Sequence, residues 1–162
     1  NKLILMAIAA CFISLSSYAQ SSECLADKGV FTISMQITKD GNGQKYNVNA
    51  LAGCDSPLYT TQSIPYQHAA YSQGEVAGFH TTTYEVGTKD DFLITGDDKP
   101  FLMFAIKNMA ILEERDVPEF GKVPVRTITE LKDVFPFNDK PGQSLEFEFD
   151  GAEYSISVTQ IQ

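Results

Sequence analysis

Residues 144–161 alternate apolar and polar side chains on both sides of an Asp-Gly pair. The apolar positions before and after Asp150-Gly151 are Leu145, Phe147, Phe149, Tyr154, Ile156 and Val158. This pattern is the strongest short-range signal for a β-hairpin. A two-residue turn would pair Phe147 with Tyr154, whereas a four-residue loop would pair Phe147 with Ile156. We expect the longer loop, because it keeps Glu148 from facing Glu153.

A second hairpin is predicted over residues 30–50. Residues 30–38 alternate in the same way, residues 39–45 read as a turn, and the alternation resumes at Tyr46. A four-residue loop over 40–43 pairs Ile37 with Tyr46 and brings Cys54 near Gly29. We expect the two hairpins to face each other across one core.

The middle of the chain predicts further strands at 64–70, 75–86 and 92–95, with connections at 55–61 and 87–91. The segment 98–114 is ambiguous between a buried helix and two strands that turn at Lys107-Asn108, and its β neighbours favour strands. Thr127-Ile-Thr-Glu130 is a capping-box pattern that predicts a short helix over 129–135.

These patterns predict a mainly β fold, an antiparallel β-sandwich or small barrel built from hairpins, with at most one or two short helices. The chain has 162 residues and shows no internal repeat or low-complexity linker. We therefore expect one globular domain over 20–162. The order of the strands does not follow from the sequence.

Residues 1–19 resemble a cleaved secretory signal peptide. Lys2 precedes an apolar stretch from Leu3 to Leu15, and Ser17 and Ala19 supply small residues before the cut. An alternative is lipoprotein processing at Cys11, but that leaves a short apolar segment ahead of the cut. We expect export to the periplasm or the extracellular space, and no transmembrane segment in the mature chain.

Export gives the cysteines a structural meaning. After cleavage the mature chain keeps Cys24 and Cys54, in a compartment where disulfides persist. Two cysteines allow one connectivity, so a Cys24–Cys54 disulfide is predicted. Closing a loop of about 30 residues stabilises a fold by roughly 3–4 kcal/mol.

The charge balance excludes some partners. The chain carries 12 Lys and Arg against 21 Asp and Glu, for a net charge of −9. Phosphate binding needs clustered basic residues, so we expect no nucleic-acid partner. A protein or cell-envelope ligand remains as a partner, and the oligomeric state is not predicted.

Any histidine chemistry must use His68 and His80, the two histidines of the chain. An even hairpin loop sends them to opposite faces, whereas an odd loop places His68 opposite His80. In the odd register Tyr66 and Tyr84 flank them, so these four residues form a candidate ligand face. They are also the weak candidates for a metal or catalytic site, although further metal ligands are missing nearby.

Other catalytic patterns are weak. Gly-x-Ser-x-Gly and glycine-rich phosphate loops are absent from the sequence, and the Asp90-Asp91 and Asp97-Asp98 pairs stand in turn-like contexts. The sequence thus predicts a non-catalytic binding or interaction module without a cofactor. The alternative is a hydrolase or metal-dependent enzyme centred on His68 and His80.

Overall fold

The structure is a computed structural model that describes residues 28–95, 98–138 and 142–161. These residues form eight β-strands: β1 Val30–Lys39, β2 Asn42–Leu51, β3 Asp55–Ser72, β4 Glu75–Ile94, β5 Leu102–Val117, β6 Gly121–Phe135, β7 Leu145–Phe149 and β8 Ala152–Gln160. Within the described ranges, no helix is long and apolar enough to span a membrane. The signal peptide, Cys11 and Cys24 all lie outside the described residues.

The strands form two four-stranded antiparallel sheets. The first sheet has the order β2-β1-β8-β7, and the second has the order β3-β4-β5-β6. The mainly β class is confirmed, in its sandwich form. The two outer hairpins do not face each other as expected, because β1 pairs directly with β8 and joins them side by side in one sheet.

Both sheets contribute to one hydrophobic core. Alternate residues of each strand point inward, as the period of two requires. The largest fully buried side chains of this cluster are Phe31, Ile33, Met35, Phe92, Ile94, Leu102, Ile106 and Ile156. The apolar stripe of the closing hairpin joins this core through Tyr154 and Ile156, as its alternation predicted.

Both predicted four-residue loops are wrong, because each hairpin closes with a two-residue turn. Asp40-Gly41 joins β1 to β2, and Asp150-Gly151 joins β7 to β8. All four residues have positive φ, between 50° and 77°, which is the geometry of a type I′ turn. Met35 therefore pairs with Tyr46, and Phe147 pairs with Tyr154.

Because the first turn is shorter than predicted, a different residue from the predicted Cys54 lies beside Gly29. The Ala52 amide donates to the Gly29 carbonyl at 3.3 Å, so Ala52 and not Cys54 lies beside Gly29. Cys54 follows two residues later in the bend before β3. The disulfide to Cys24 stays a prediction, because Cys24 is not among the described residues.

The middle strands are longer than predicted. The expected connection at 55–61 belongs to β3, and the expected turn at 87–91 belongs to β4. The ambiguous segment forms strand β5, which runs through Lys107-Asn108 without a turn. The helix predicted over 129–135 is wrong, since these residues continue β6. There, pairing with β5 outweighs the local capping-box preference.

The second sheet extends well beyond the core. Strands β4 and β5 pair only between Gly87–Ile94 and Leu102–Met109. Past that point β3 and β4 continue as one hairpin, here called the first arm (62–86), and β5 and β6 continue as the second arm (110–127). Neither arm contributes to the core cluster. At ~3.3 Å per residue, the first arm runs about 40 Å from the sandwich to its turn.

Candidate functional site

The first arm brings the two histidines together through a β-bulge. Its turn, Gln73-Gly74, has two residues, which alone would separate the histidines onto opposite faces. Pairing shifts between Ala70–Gly78 and Tyr71–Val76, so Ala77 is an extra residue. This bulge restores the odd register, and His68 pairs with His80. Their ring centroids lie 5.5 Å apart.

The histidine face packs against the second arm. Phe120, at the end of the second arm, stacks on the His68 ring with a centroid distance of 4.9 Å and an interplanar angle of 18°. The Phe120 carbonyl accepts a 2.8 Å hydrogen bond from the Ala69 amide, on the open edge of β3. The two arms are therefore joined near their ends by stacking and by a backbone hydrogen bond.

Polar and aromatic contacts continue this arm interface toward the core. The Tyr66 hydroxyl donates to Glu114 at 2.8 Å, and Lys122 donates to the same carboxylate at 3.2 Å. The hydrogen bond to Glu114 raises the pKa of Tyr66, and the same bond lowers the pKa of Glu114. Arg126 lies over the Tyr84 ring, 5.3 Å from its centroid.

The four residues of the candidate ligand face thus meet, but they differ in access. Tyr66 and His68 are buried at 8% and 3% exposure, Tyr84 is half-buried and His80 is exposed. No group of three or more His, Cys, Asp or Glu side chains that could hold a metal was found among the described residues. The arrangement is an aromatic interface between two hairpins, with His80 at its margin.

The opposite face of the first arm exposes large apolar side chains at its end. Tyr71 pairs with Val76, and Ala69 pairs with Phe79, so all four share one face. Phe79 is 73% exposed, Val76 53% and Tyr71 40%. We call Tyr71, Val76 and Phe79 the tip patch.

A buried carboxylate marks a second candidate site inside the sandwich. Asp90 is fully buried on the core-facing side of β4, in line with Phe92 and Ile94. Neither of its carboxylate oxygens has a hydrogen-bond partner. Burial raises the pKa of Asp90 to about 6, and the Lys107 amide and the Thr88 hydroxyl oppose that shift without completing a hydrogen bond to the carboxylate.

A cleft of about 350 Å³ opens between the sheets, and Thr88, two residues before Asp90 in β4, lines it; we call it the inter-sheet cleft. Asn108 lines it, donates to Asp150 at 3.0 Å, and keeps a buried Oδ1 without a partner. Tyr154 also lines it, and burial raises the pKa of this tyrosine, opposed by a hydrogen bond with Asn108. The negative charge of Asp90 raises the pKa of Tyr154 further.

The turn interpretation of Asp90-Asp91 is wrong, because both residues lie inside β4. Successive strand residues point to opposite faces, so the two carboxylates cannot act as one catalytic pair. Asp91 faces outward and accepts a hydrogen bond from Tyr59 at 3.2 Å. Of the other predicted pair, Asp98 is exposed and Asp97 lies outside the described residues.

Sequence reasoning assigned Asp90 to a turn and therefore missed its burial, and it also missed the partners of the arm interface. A signal for Asp90 existed, because Asp90, Phe92 and Ile94 share one parity, which places an acid on an apolar stripe. For Glu114, Phe120 and Arg126 no local signal existed, because their contacts join residues far apart in the chain.

Comparison with known proteins adds no further constraint, since no protein family, curated protein or solved structure matches this chain.

Proposed function

We propose that this chain is an exported, non-catalytic binding module that holds a protein partner through the tip patch. The observation that carries the proposal is an arm that leaves the core and exposes three large apolar side chains on one face. Contiguous exposed apolar side chains mark interaction sites in soluble proteins more often than scattered ones do.

The composition of the tip patch suits a protein partner. Phe79 and Tyr71 are aromatic, and aromatic side chains supply much of the binding energy at protein interfaces. Each buries about 150–250 Å² when it is fully covered. Charged residues are depleted at the centre of such interfaces, and the members of the patch are all uncharged.

The arm interface prepares the tip patch for binding. Stacking of Phe120 on His68 and the Ala69–Phe120 hydrogen bond hold the end of the first arm against the second arm. A surface that is already ordered loses less conformational entropy on association. In this proposal Tyr66, His68 and Tyr84 position the arm, and the partner contacts its other face.

The test is quantitative capture from an envelope extract with immobilised mature protein. We expect one partner to bind the wild type with saturation and Phe79→Ser to weaken that binding by about tenfold or more. Leu112→Ser is the matched control, because Leu112 is also apolar and 68% exposed but lies on the second arm.

Retention of the partner by Leu112→Ser and its loss by Phe79→Ser supports the proposal. Equal binding by both variants and the wild type contradicts it, as does the absence of any saturable partner. Circular dichroism of each variant establishes that the β structure is intact.

The enzyme alternative has one observation in its favour, the 5.5 Å approach of the His68 and His80 rings. Against it, Phe120 covers one face of the His68 ring and leaves this residue 3% exposed. Metal analysis of protein purified without chelator tests this alternative. A stoichiometric metal that is lost in His80→Ala would favour the enzyme over the binding module.

A further inference from the structure

The inter-sheet cleft is a separate feature from the tip patch, and it combines unpaired acceptors with acidic charge. We propose that it binds a small organic cation through an ammonium group, with the Asp90 carboxylate as the counter-charge. The proposal rests on the hydrogen-bonding state of the buried groups, the lining of the cleft and its size.

The buried polar atoms around the cleft lack donors. Both carboxylate oxygens of Asp90 and the Oδ1 atom of Asn108 are buried without partners. A buried polar atom without a hydrogen bond costs about 1–3 kcal/mol, and more when it is charged. All three atoms are acceptors, so a ligand that relieves this cost must bring N–H or O–H donors.

The position of these atoms connects Asp90 to the cleft. Thr88 and Asn108 pair across β4 and β5 and both line the cleft. Asp90 is two residues beyond Thr88 and therefore lies on the same face, one step deeper. Tyr154 also lines the cleft and senses the Asp90 charge. Asp90 is fully buried and does not line the cleft itself, so in this proposal the ammonium group passes Thr88 and Tyr154 to reach the carboxylate.

The remaining lining favours an organic cation over a metal ion. Among the described residues no set of three or more metal-ligating side chains was found, whereas hard cations such as Ca²⁺ take six to eight oxygen ligands. The cleft volume of about 350 Å³ is in the range of small-molecule sites. Its walls include Ile37, Met109 and the Tyr46 side chain, which suit a carbon skeleton.

Electrostatics act in the same direction. Asp150 lines the cleft near its opening, where Asn108 and Thr129 donate to its Oδ2 atom at 3.0 Å and 3.3 Å. Among the described residues that line the cleft, Lys39 is the one basic residue, and it is exposed. The net charge of −9 raises the local concentration of cations around the protein. Cationic groups are also attracted to the faces of aromatic rings.

The test is a titration of the mature protein with n-butylammonium chloride at pH 7.5, followed by two-dimensional NMR. We expect saturable shifts of the Asn108 side-chain amide and the Thr88 backbone amide. n-Butanol, which has the same carbon chain without the charge, is expected to bind at least about tenfold more weakly. Chloride is held constant with NaCl throughout.

Two variants distinguish the effect of the Asp90 carboxylate on binding from the effect of the net charge of the protein. We expect Asp90→Asn to weaken butylammonium binding by about tenfold or more. Asp91→Asn makes the same change in net charge on the outer face of β4, and we expect it to bind within about twofold of wild type. Asn108→Leu removes the unpaired Oδ1 acceptor, and we expect it to weaken butylammonium binding by at least about threefold.

Several results would overturn the proposal. They are shifts that do not saturate, equal shifts with n-butanol, and wild-type affinity in Asp90→Asn. An equal loss in Asp90→Asn and Asp91→Asn would also overturn it, because it would assign the binding to net charge alone. None of these outcomes bears on the tip patch, so the two proposals can fail independently.

Discussion

At the scale of single residues, the protonation of Asp90 makes the stability of the fold depend on pH. Its side chain is fully buried, and burial raises its pKa to about 6 from an ordinary value of 3.8. A carboxyl group that is buried without hydrogen bonds favours its neutral form. Folding therefore takes up a proton at any pH between the two pKa values.

The first prediction concerns stability against pH. Between about pH 4 and pH 6, Asp90 is ionised in the unfolded chain but still protonated in the native chain. The contribution of Asp90 to the free energy of unfolding therefore falls as pH rises. We expect the free energy of unfolding to fall by about 3 kcal/mol from this residue, and most of this fall to occur below about pH 6. Urea unfolding at half-unit pH steps measures it.

Asp90→Asn removes this titration, so we expect the fall in stability between pH 4 and pH 6 to be smaller by about that amount. Asp91→Asn is the control for the loss of one carboxylate from β4, and we expect it to change the slope less than Asp90→Asn does. Identical slopes in wild type and Asp90→Asn would show that Asp90 does not titrate with a raised pKa.

The second prediction concerns Gly87, whose replacement should lower the free energy of unfolding. Its φ is +114°, and a Cβ atom there would lie 2.1 Å from the Thr60 carbonyl oxygen. We expect Gly87→Ala to destabilise the fold by about 2 kcal/mol or more, since it combines backbone strain with a clash. The urea midpoint measures this loss.

Gly74→Ala is the matched control, because Gly74 also has positive φ, +86°, but nothing lies near its added Cβ. It should cost only about 1 kcal/mol. Equal losses in the two variants would mean that the Thr60 contact does not matter.

At the scale of elements, the sequence predicted that the hairpins exist but not their turns. Asp-Gly readily adopts the two positive φ angles of a type I′ turn, whose twist matches the strands. The longer loop was expected so that Glu148 would not face Glu153, yet the structure pairs them. A like-charge pair costs only tenths of a kcal/mol, which is less than the preference for the tight turn.

This pairing gives a third prediction. Glu153→Lys replaces the repulsion with an attractive pair, so we expect stabilisation by roughly 0.5 kcal/mol at low salt. The control is Glu146→Lys, which makes the same charge change opposite Ser155. If chemical denaturation shows equal gains in both variants, the gain comes from net charge and not from the pair.

Strand β5 and the first arm show where local patterns are insufficient. Leu102, Phe104 and Ile106 point into the core, while Met103 and Ala105 lie on the outer face. A continuous apolar run of this kind fits a helix or a buried strand equally well. The histidine register depended on the Ala77 bulge, which loop length alone could not predict.

At the scale of the whole molecule, the fold class was predictable but the topology was not. Alternation specifies which face of a strand is buried, whereas the pairing of β1 with β8 joins opposite ends of the described chain. The arms were missed for the same reason: the contacts that hold them, such as Phe120 on His68, are distant in sequence. The four residues of the candidate ligand face lie together in the first arm, and their role in binding stays a prediction. Their burial by the second arm was not foreseen, because the covering residues are distant in sequence.

The fourth prediction is the Cys24–Cys54 disulfide. Reduction should raise the intact mass of the exported protein by two hydrogens, and tryptic peptides that contain the two cysteines should be joined before reduction. Cys24→Ser should lower the free energy of unfolding by roughly 3–4 kcal/mol. An unchanged mass after full reduction would contradict the disulfide.

The binding function itself is tested most directly by photocrosslinking from the tip patch in living cells. A benzophenone amino acid is placed at Phe79 in one strain and at Met103 in another, since Met103 is also exposed but lies on the sandwich. We predict one covalent adduct with a distinct protein from position 79 and none from position 103. The same adduct from both positions, or no adduct from position 79, would contradict a binding module that acts through the tip patch.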